Sequence, residues 1–137
     1  MSRESNLEVV RQRFGEHPIL DEADADLAAI YSADVVLHGP AEQFVGLDGI
    51  KQAAEATRSA FSDIEFRIAE MTADENDKVV TKIVGRSRHT GPFQGAQPSG
   101  KWVQVNGIVI SRLQEGQIVE EWRNMTWSPA AAPADEA

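Results

Sequence analysis

The three histidines, His17, His38 and His89, are the side chains of this sequence best suited to move a proton near neutral pH, because an unperturbed imidazole titrates there. His17 precedes Pro18 in what reads as a surface loop. His38 stands before Gly39-Pro40 at the exit of a short β-branched run, where it either braces that turn or serves as a base. His89 closes a strand that starts at Lys78. Along that strand Val79, Thr81, Ile83, Gly85, Ser87 and His89 share one side, while Lys82, Arg86 and Arg88 take the other. His89 therefore faces the apolar side, where it either hydrogen-bonds a neighbouring loop or acts as acid and base. Most carboxylates fall in helix caps and turns. Asp34 and Glu120 are exceptions: Asp34 opens a strand, and Glu120 reads as pointing into a concavity beside Trp122, where burial would raise its pKa. Paired with Arg112, Glu120 would instead be structural. Tyr31, the one tyrosine, either packs a helix or donates to a ligand oxygen.

The elements that must position these groups follow from periodicity. Leu7, Val10 and Phe14 form a helical stripe over 6–14, with Ser5 or Asn6 as its cap, and Leu27, Ile30 and Tyr31 form a second over 25–31. Asp34 to His38 is a short strand stopped by Gly39-Pro40, and 41–47 reads as a loop. Asp48 caps a third helix carrying Ile50, Ala53, Ala54, Thr57 and Phe61. Ile64, Phe66 and Ile68 alternate with Glu65 and Arg67 as a half-buried strand. A turn at 74–77 leads to the strand from Lys78 to about Thr90, and 91–100 is a long connection rich in turn residues. Lys101 to Leu113 and Gln117 to Trp127 are the last strands, joined by a tight turn at 114–117. With Leu113 opposite Ile118, one face would carry Val105, Gly107, Val109 and Ser111 together with Glu120, Trp122, Asn124 and Thr126. Small and polar residues on one face suggest a cavity rather than a solid core.

Composition narrows the function classes. A length of 137 residues at 42% hydrophobic and 26% charged fits one globular domain over 1–127, followed by a flexible Ala/Pro-rich tail over 128–137. The net charge of −9 repels a nucleic-acid backbone. The segment 78–114 nevertheless lacks Asp and Glu and carries Lys78, Lys82, Arg86, Arg88, Lys101 and Arg112, either a solvated sheet face or an anion-binding surface. No apolar run approaches the roughly 20 residues that cross a bilayer, and the polar start lacks a secretion signal, so the expected location is cytoplasmic, away from membranes. Zero cysteines exclude thiolate chemistry. No phosphate-binding glycine loop, nucleophile elbow or His-Glu-x-x-His pair occurs.

Five segments in order resemble the SnoaL-like branch of the nuclear transport factor 2-like superfamily. They are Tyr31-x-x-Asp34 leading to His38-Gly39-Pro40, Gly46-Leu47-Asp48-Gly49-Ile50-Lys51, Phe61-Ser62-Asp63, His89-Thr90-Gly91-x-Phe93-x-Gly95 running to Ser99-Gly100-Lys101, and Gly116-x-Ile118-Val119-Glu120-Glu121-Trp122. The resemblance implies an α+β cone: three N-terminal helices packed on a strongly curved antiparallel sheet that encloses an apolar pocket. It also implies a homodimer, a hydrophobic small-molecule substrate, and neither metal nor organic cofactor. Polyketide cyclases of this branch close rings by intramolecular aldol chemistry with a histidine and an aspartate. The histidine maps onto His89, and the aspartate position is Thr126, whose hydroxyl can position or donate but cannot take a proton at neutral pH. The ketosteroid isomerases of the superfamily place their base near His38. In this reading His89, with His38 as a second candidate, carries the acid/base work. Tyr31, Asn124 and Thr126 hold substrate oxygens, while Phe61, Phe93, Glu120 and Trp122 shape the wall. The alternative is a non-catalytic binding protein or a hydroxylase partner of the same fold; a pure dimerisation module resting on Ile108 and Ile110 is a third reading.

Overall fold

The computed structural model describes residues 3–14, 24–39, 42–92 and 97–129. Among the described residues three helices, α1 (Arg3–Phe14), α2 (Asp24–Ile30) and α3 (Gly46–Ala60), accompany six strands. These are β1 (Tyr31–His38), β2 (Gln43–Val45), β3 (Phe61–Ala73), β4 (Lys78–His89), β5 (Trp102–Gln114) and β6 (Gln117–Pro129). No helix among the described residues is long and apolar enough to cross a membrane. Phe93 and His17 lie outside the described residues, as do Pro40 and 130–137.

The sheet order is β2-β1-β6-β5-β4-β3. It curves as the cone expected from the resemblance does, but it is mixed: β1 runs parallel to β6, and every other pair is antiparallel. Parallel pairing with the last strand is a long-range choice that no local pattern announces. Several boundaries also move. Strand β1 begins at Tyr31, directly after α2, and β2 occupies part of the segment read as loop. Phe61 leaves the helical stripe, because α3 ends at Ala60 and Phe61 is already extended, at φ −131°. Asp48 is not the cap of α3 but lies in its first turn, where a carboxylate still favours the helix dipole. Asn6, read as a possible cap, sits inside α1 and donates from Nδ2 to Asp77 Oδ1 at 3.0 Å. Strand β6 continues through Ser128 and Pro129.

The tight turn between β5 and β6 forms where expected. Glu115 and Gly116 have φ of 52° and 80°, the left-handed pair that a two-residue hairpin turn requires. Leu113 does pair with Ile118, but Arg112 pairs with Glu120, so Val119 is an extra residue on β6. A bulge of this kind shifts side-chain parity by one. Beyond it Ser111 faces Glu121, Val109 faces Arg123, Gly107 faces Met125 and Val105 faces Trp127. Glu120, Trp122, Asn124 and Thr126 therefore stand on the opposite, outer face, with Arg112, Ile110, Ile108 and Asn106. The expected shared face is corrected accordingly. Gly107 does face inward, but its missing side chain is filled by Met125: a Cβ there would run into the Met125 sulfur.

The inner face packs one end of the cone solidly. Val79, Ile83, Val109, Leu113 and Ile118 from the sheet meet Val10, Leu27, Ile30 and Ile50 from the helices, with Tyr31, Val35 and Leu37. Burial of such side chains contributes about 1.5–3 kcal/mol each. Phe61, Ala60 and Val105 are buried without belonging to this cluster. They mark the other end of the inner face, where β4 finishes at His89.

Candidate functional site

Strand β4 keeps the alternation read from the sequence. Val79, Thr81, Ile83 and Ser87 are buried, and Lys82 on the opposite side is exposed. His89 follows at the inward parity. Its backbone is held from both directions: His89 N–H donates to the Lys101 carbonyl at 3.0 Å, and Gly100 N–H donates to the His89 carbonyl at 2.7 Å. The N–H groups of Thr90 and Gly91 both donate to the Ala60 carbonyl, at 2.9 and 3.0 Å, which ties this exit to the end of α3. The imidazole packs against Phe61 with ring centroids 5.3 Å apart, and Phe61 stacks on Trp127 at 4.0 Å. His89 Nε2 is buried and has no hydrogen-bond partner, as is true of Ser87 Oγ and Thr81 Oγ1 on the same face. Buried polar atoms are nearly always paired, so these three unpartnered groups stand out along the inner face of β4.

At the other end of the inner face, in the row of Val79 and Ser111, is a buried charged group. Glu121 is fully buried and its carboxylate accepts from Tyr31 Oη at 3.3 Å, Ser111 Oγ at 3.1 Å and Arg123 Nε at 3.1 Å. Arg123 Nη2 adds an ion pair at 3.0 Å. Burial acts to lower the Arg123 pKa, but attraction to Glu121, then Tyr31 and the hydrogen bonds to both, outweigh it and raise the value. A carboxylate offers about four lone-pair sites, and these donors fill them.

The outer face carries a second cluster. His38 Nε2 lies 2.7 Å from Glu120 Oε2, and Arg112 donates from Nε and Nη2 to Glu120 Oε1 at 3.2 and 3.0 Å. The Glu120 carboxyl is held below its ordinary range, first by the His38 hydrogen bond, against partial burial, and then by Arg112. The His38 ring stacks on Trp122 at 5.5 Å, with Lys78 Nζ 5.9 Å from the same indole.

The candidate residues thus separate. His89 and Phe61 meet on the inner face. His38, Glu120 and Trp122 meet on the outer face, the last two by the bulge and not beside a concavity as expected. The Glu120 pairing with Arg112 is the structural alternative foreseen for it. Tyr31 is inward and buried, but its hydroxyl points to Glu121. Asn124 and Thr126 are exposed on the outer face, and Thr126 Oγ1 donates to the Asn106 carbonyl at 3.0 Å. Among the described residues no group of three or more His, Asp or Glu is arranged to hold a metal ion.

The sequence profile of the family described as SnoaL-like polyketide cyclase matches residues 10–125. The chain belongs to this family. A search of curated protein sequences finds no match, whereas solved structures show the same fold. A candidate SnoaL-like polyketide cyclase from Jannaschia sp. CCS1 superposes with a TM-score of 0.80 at 21% identity, over 90% of this chain and 86% of that one. AclR from Streptomyces galilaeus, described as a candidate hydroxylase, gives 0.72 at 22% over 91% and 77%. IdmH from Streptomyces antibioticus, described as a candidate polyketide cyclase, gives 0.62 at 23% over 89% and 90%.

Thr81 and Ser87 read from the sequence as sharing the inward side with His89, whereas the inward placement of Glu121, Arg123 and Trp127 was missed. One signal was available for the last three. The apolar residues of the final strand change parity, from Ile118 to Met125 and Trp127, and such a change requires an extra residue between them.

Proposed function

We propose that the protein is an acid/base enzyme that removes a proton next to a carbonyl of a hydrophobic, polyketide-like substrate, leading to cyclisation or isomerisation, with His89 as the proton carrier. The observation that carries this reading is His89 Nε2, buried, unpartnered and directed to the inner face beside Phe61. In the neutral imidazole one ring nitrogen accepts. The C–H bond breaks, the proton goes to that nitrogen, and the electron pair moves into the carbonyl to give an enolate. Ser87, two residues back on the same face, has an unpartnered hydroxyl that can donate to the developing negative oxygen. In cyclisation the enolate carbon attacks a second carbonyl, whose oxygen takes the proton back from His89. In isomerisation the proton returns to a different carbon. Either course needs one group that both takes and gives a proton, which suits a family member whose aspartate position is a threonine.

The test is solvent-deuterium incorporation into activated carbonyl compounds, steroid enones and β-keto esters included, by wild type and His89→Ala. Loss of a positioned acid/base lowers the rate about 10²–10⁴-fold, and an unchanged rate would remove His89 from the role. A second reading, a non-catalytic or hydroxylase-partner protein, is favoured by Thr126, whose hydroxyl is committed to the Asn106 carbonyl on the outer face. Absence of exchange on every compound, with binding retained, supports that reading instead. The homodimer expected of the family would use the outer sheet face, where Ile108 is 44% exposed; sedimentation of wild type against Ile108→Glu checks it.

A further inference from the structure

We infer that a cavity on the outer face of the sheet, spanning β3, β4 and β5, binds a singly charged organic carboxylate, with Arg67 and Arg86 receiving its oxygens. The site is separate from the inner face that carries His89 and does not depend on the proton-transfer reading.

The acid-free run 78–114 stands out in a chain of net charge −9, and the fold gathers part of it at one place. Strand alternation puts Arg86 on the outer face of β4, where it pairs with Glu65 of β3 on one side and Gln104 of β5 on the other. Arg67, two residues beyond Glu65, shares that face and pairs with Val84. Glu65, Arg67, Val84, Arg86 and Gln104 together line a cavity of about 480 Å³, a volume within the roughly 300–1,000 Å³ of small-molecule sites. Because β3 is an edge strand, the cavity lies at the rim of the sheet, away from the packed core.

The donors around it are uncommitted. Arg86 is held at two points. Its Nε donates to Glu65 Oε2, and its guanidinium carbon lies 5.5 Å from the ring centroid of Trp102, an indole only 7% exposed. Both contacts fix the guanidinium and leave its terminal Nη groups without a hydrogen bond among the described residues. Arg67 makes no ion pair or hydrogen bond among the described residues, and neither does the side-chain amide of Gln104. Water can satisfy these groups, but water gains nothing from Val84. A ligand with an anionic head and an apolar body uses both.

Charge and shape select the head group. Glu65 cancels one of the two arginine charges, so the cavity keeps a single positive charge. One carboxylate restores neutrality, and its planar pair of oxygens matches the fork of a guanidinium. A phosphate monoester, at about −1.5 to −2, overshoots that balance and brings its excess charge against Glu65.

The experiment follows the backbone amide resonances of the full chain during titration with naphthoate and with its neutral isostere naphthamide. A solution of about 0.15 M NaCl screens general attraction between exposed charges. Naphthoate should move the Gly85, Arg86 and Gln104 amides and bind about tenfold more tightly than naphthamide, the low end for a hydrogen bond to a charged group. Arg67→Gln, an exposed change that leaves the core untouched, should erase most of that preference. Lys78→Gln removes the same charge from the outer face at the far end of β4, outside the cavity, and should keep it. Naphthyl phosphate should bind wild type no more tightly than naphthoate. Equal affinity for the acid and the amide, or shifts centred on His89 instead, would overturn the inference. So would an equal loss in the two variants, which marks a diffuse field and not a site, or a preference for the phosphate.

Discussion

Glu121 and Arg123, two residues apart on β6, both face the inside of the cone and bind each other with Nη2 3.0 Å from Oε1. Along an unbroken strand such neighbours share a face, and the Val119 bulge makes that face the inner one. Glu121→Ala should therefore be severe. It removes the counter-charge and leaves Arg123 buried without compensation, for which about 3–5 kcal/mol is typical. Urea unfolding of Glu121→Ala against Glu121→Gln/Arg123→Met checks this, with the double variant closer to wild type.

The outer-face pair predicts an acid limb in the stability curve. The folded-state pKa of Glu120 lies below its ordinary value of 4.5, so protonation favours the unfolded chain. Its contribution is complete above that ordinary value and is lost as pH falls through the lowered folded value. Urea midpoints measured from about pH 6 down to about pH 3 should drop more steeply for wild type than for Glu120→Gln. Identical slopes would dissociate the pair from stability.

Gly107 and Met125 form a packing pair across β5 and β6. A Cβ at position 107 meets the Met125 sulfur, the middle of a flexible side chain, so Gly107→Ala should cost about 1–3 kcal/mol. Adding Met125→Ala should recover part of that loss. A double-mutant cycle with no coupling would contradict the contact.

The two histidines should differ in kind. His89→Ala should reduce deuterium exchange at least about tenfold more than His38→Ala, since a positioned acid/base is worth about 10²–10⁴. His38→Ala should register mainly in the acid limb, through loss of its bond to Glu120.

Much of this arrangement is legible in residue order alone. The alternation along β4 places His89 inward without help from tertiary structure, because strand parity is a local property. The left-handed turn at Glu115-Gly116, the stripe of Ile50, Ala53 and Ala54, and the pairing of Leu113 with Ile118 are local in the same sense. What only the tertiary structure decided is how β6 meets its neighbours. Val119 becomes an extra residue because β5 offers one partner where β6 has two, and that mismatch exists only between strands. It moved Glu120, Trp122, Asn124 and Thr126 outward and brought Glu121, Arg123 and Trp127 inward. The parallel union of β1 with β6, which sets His38 opposite Trp122, likewise joins segments more than eighty residues apart. Such a contact is selected by the closing of the whole sheet, not by the pattern of either segment.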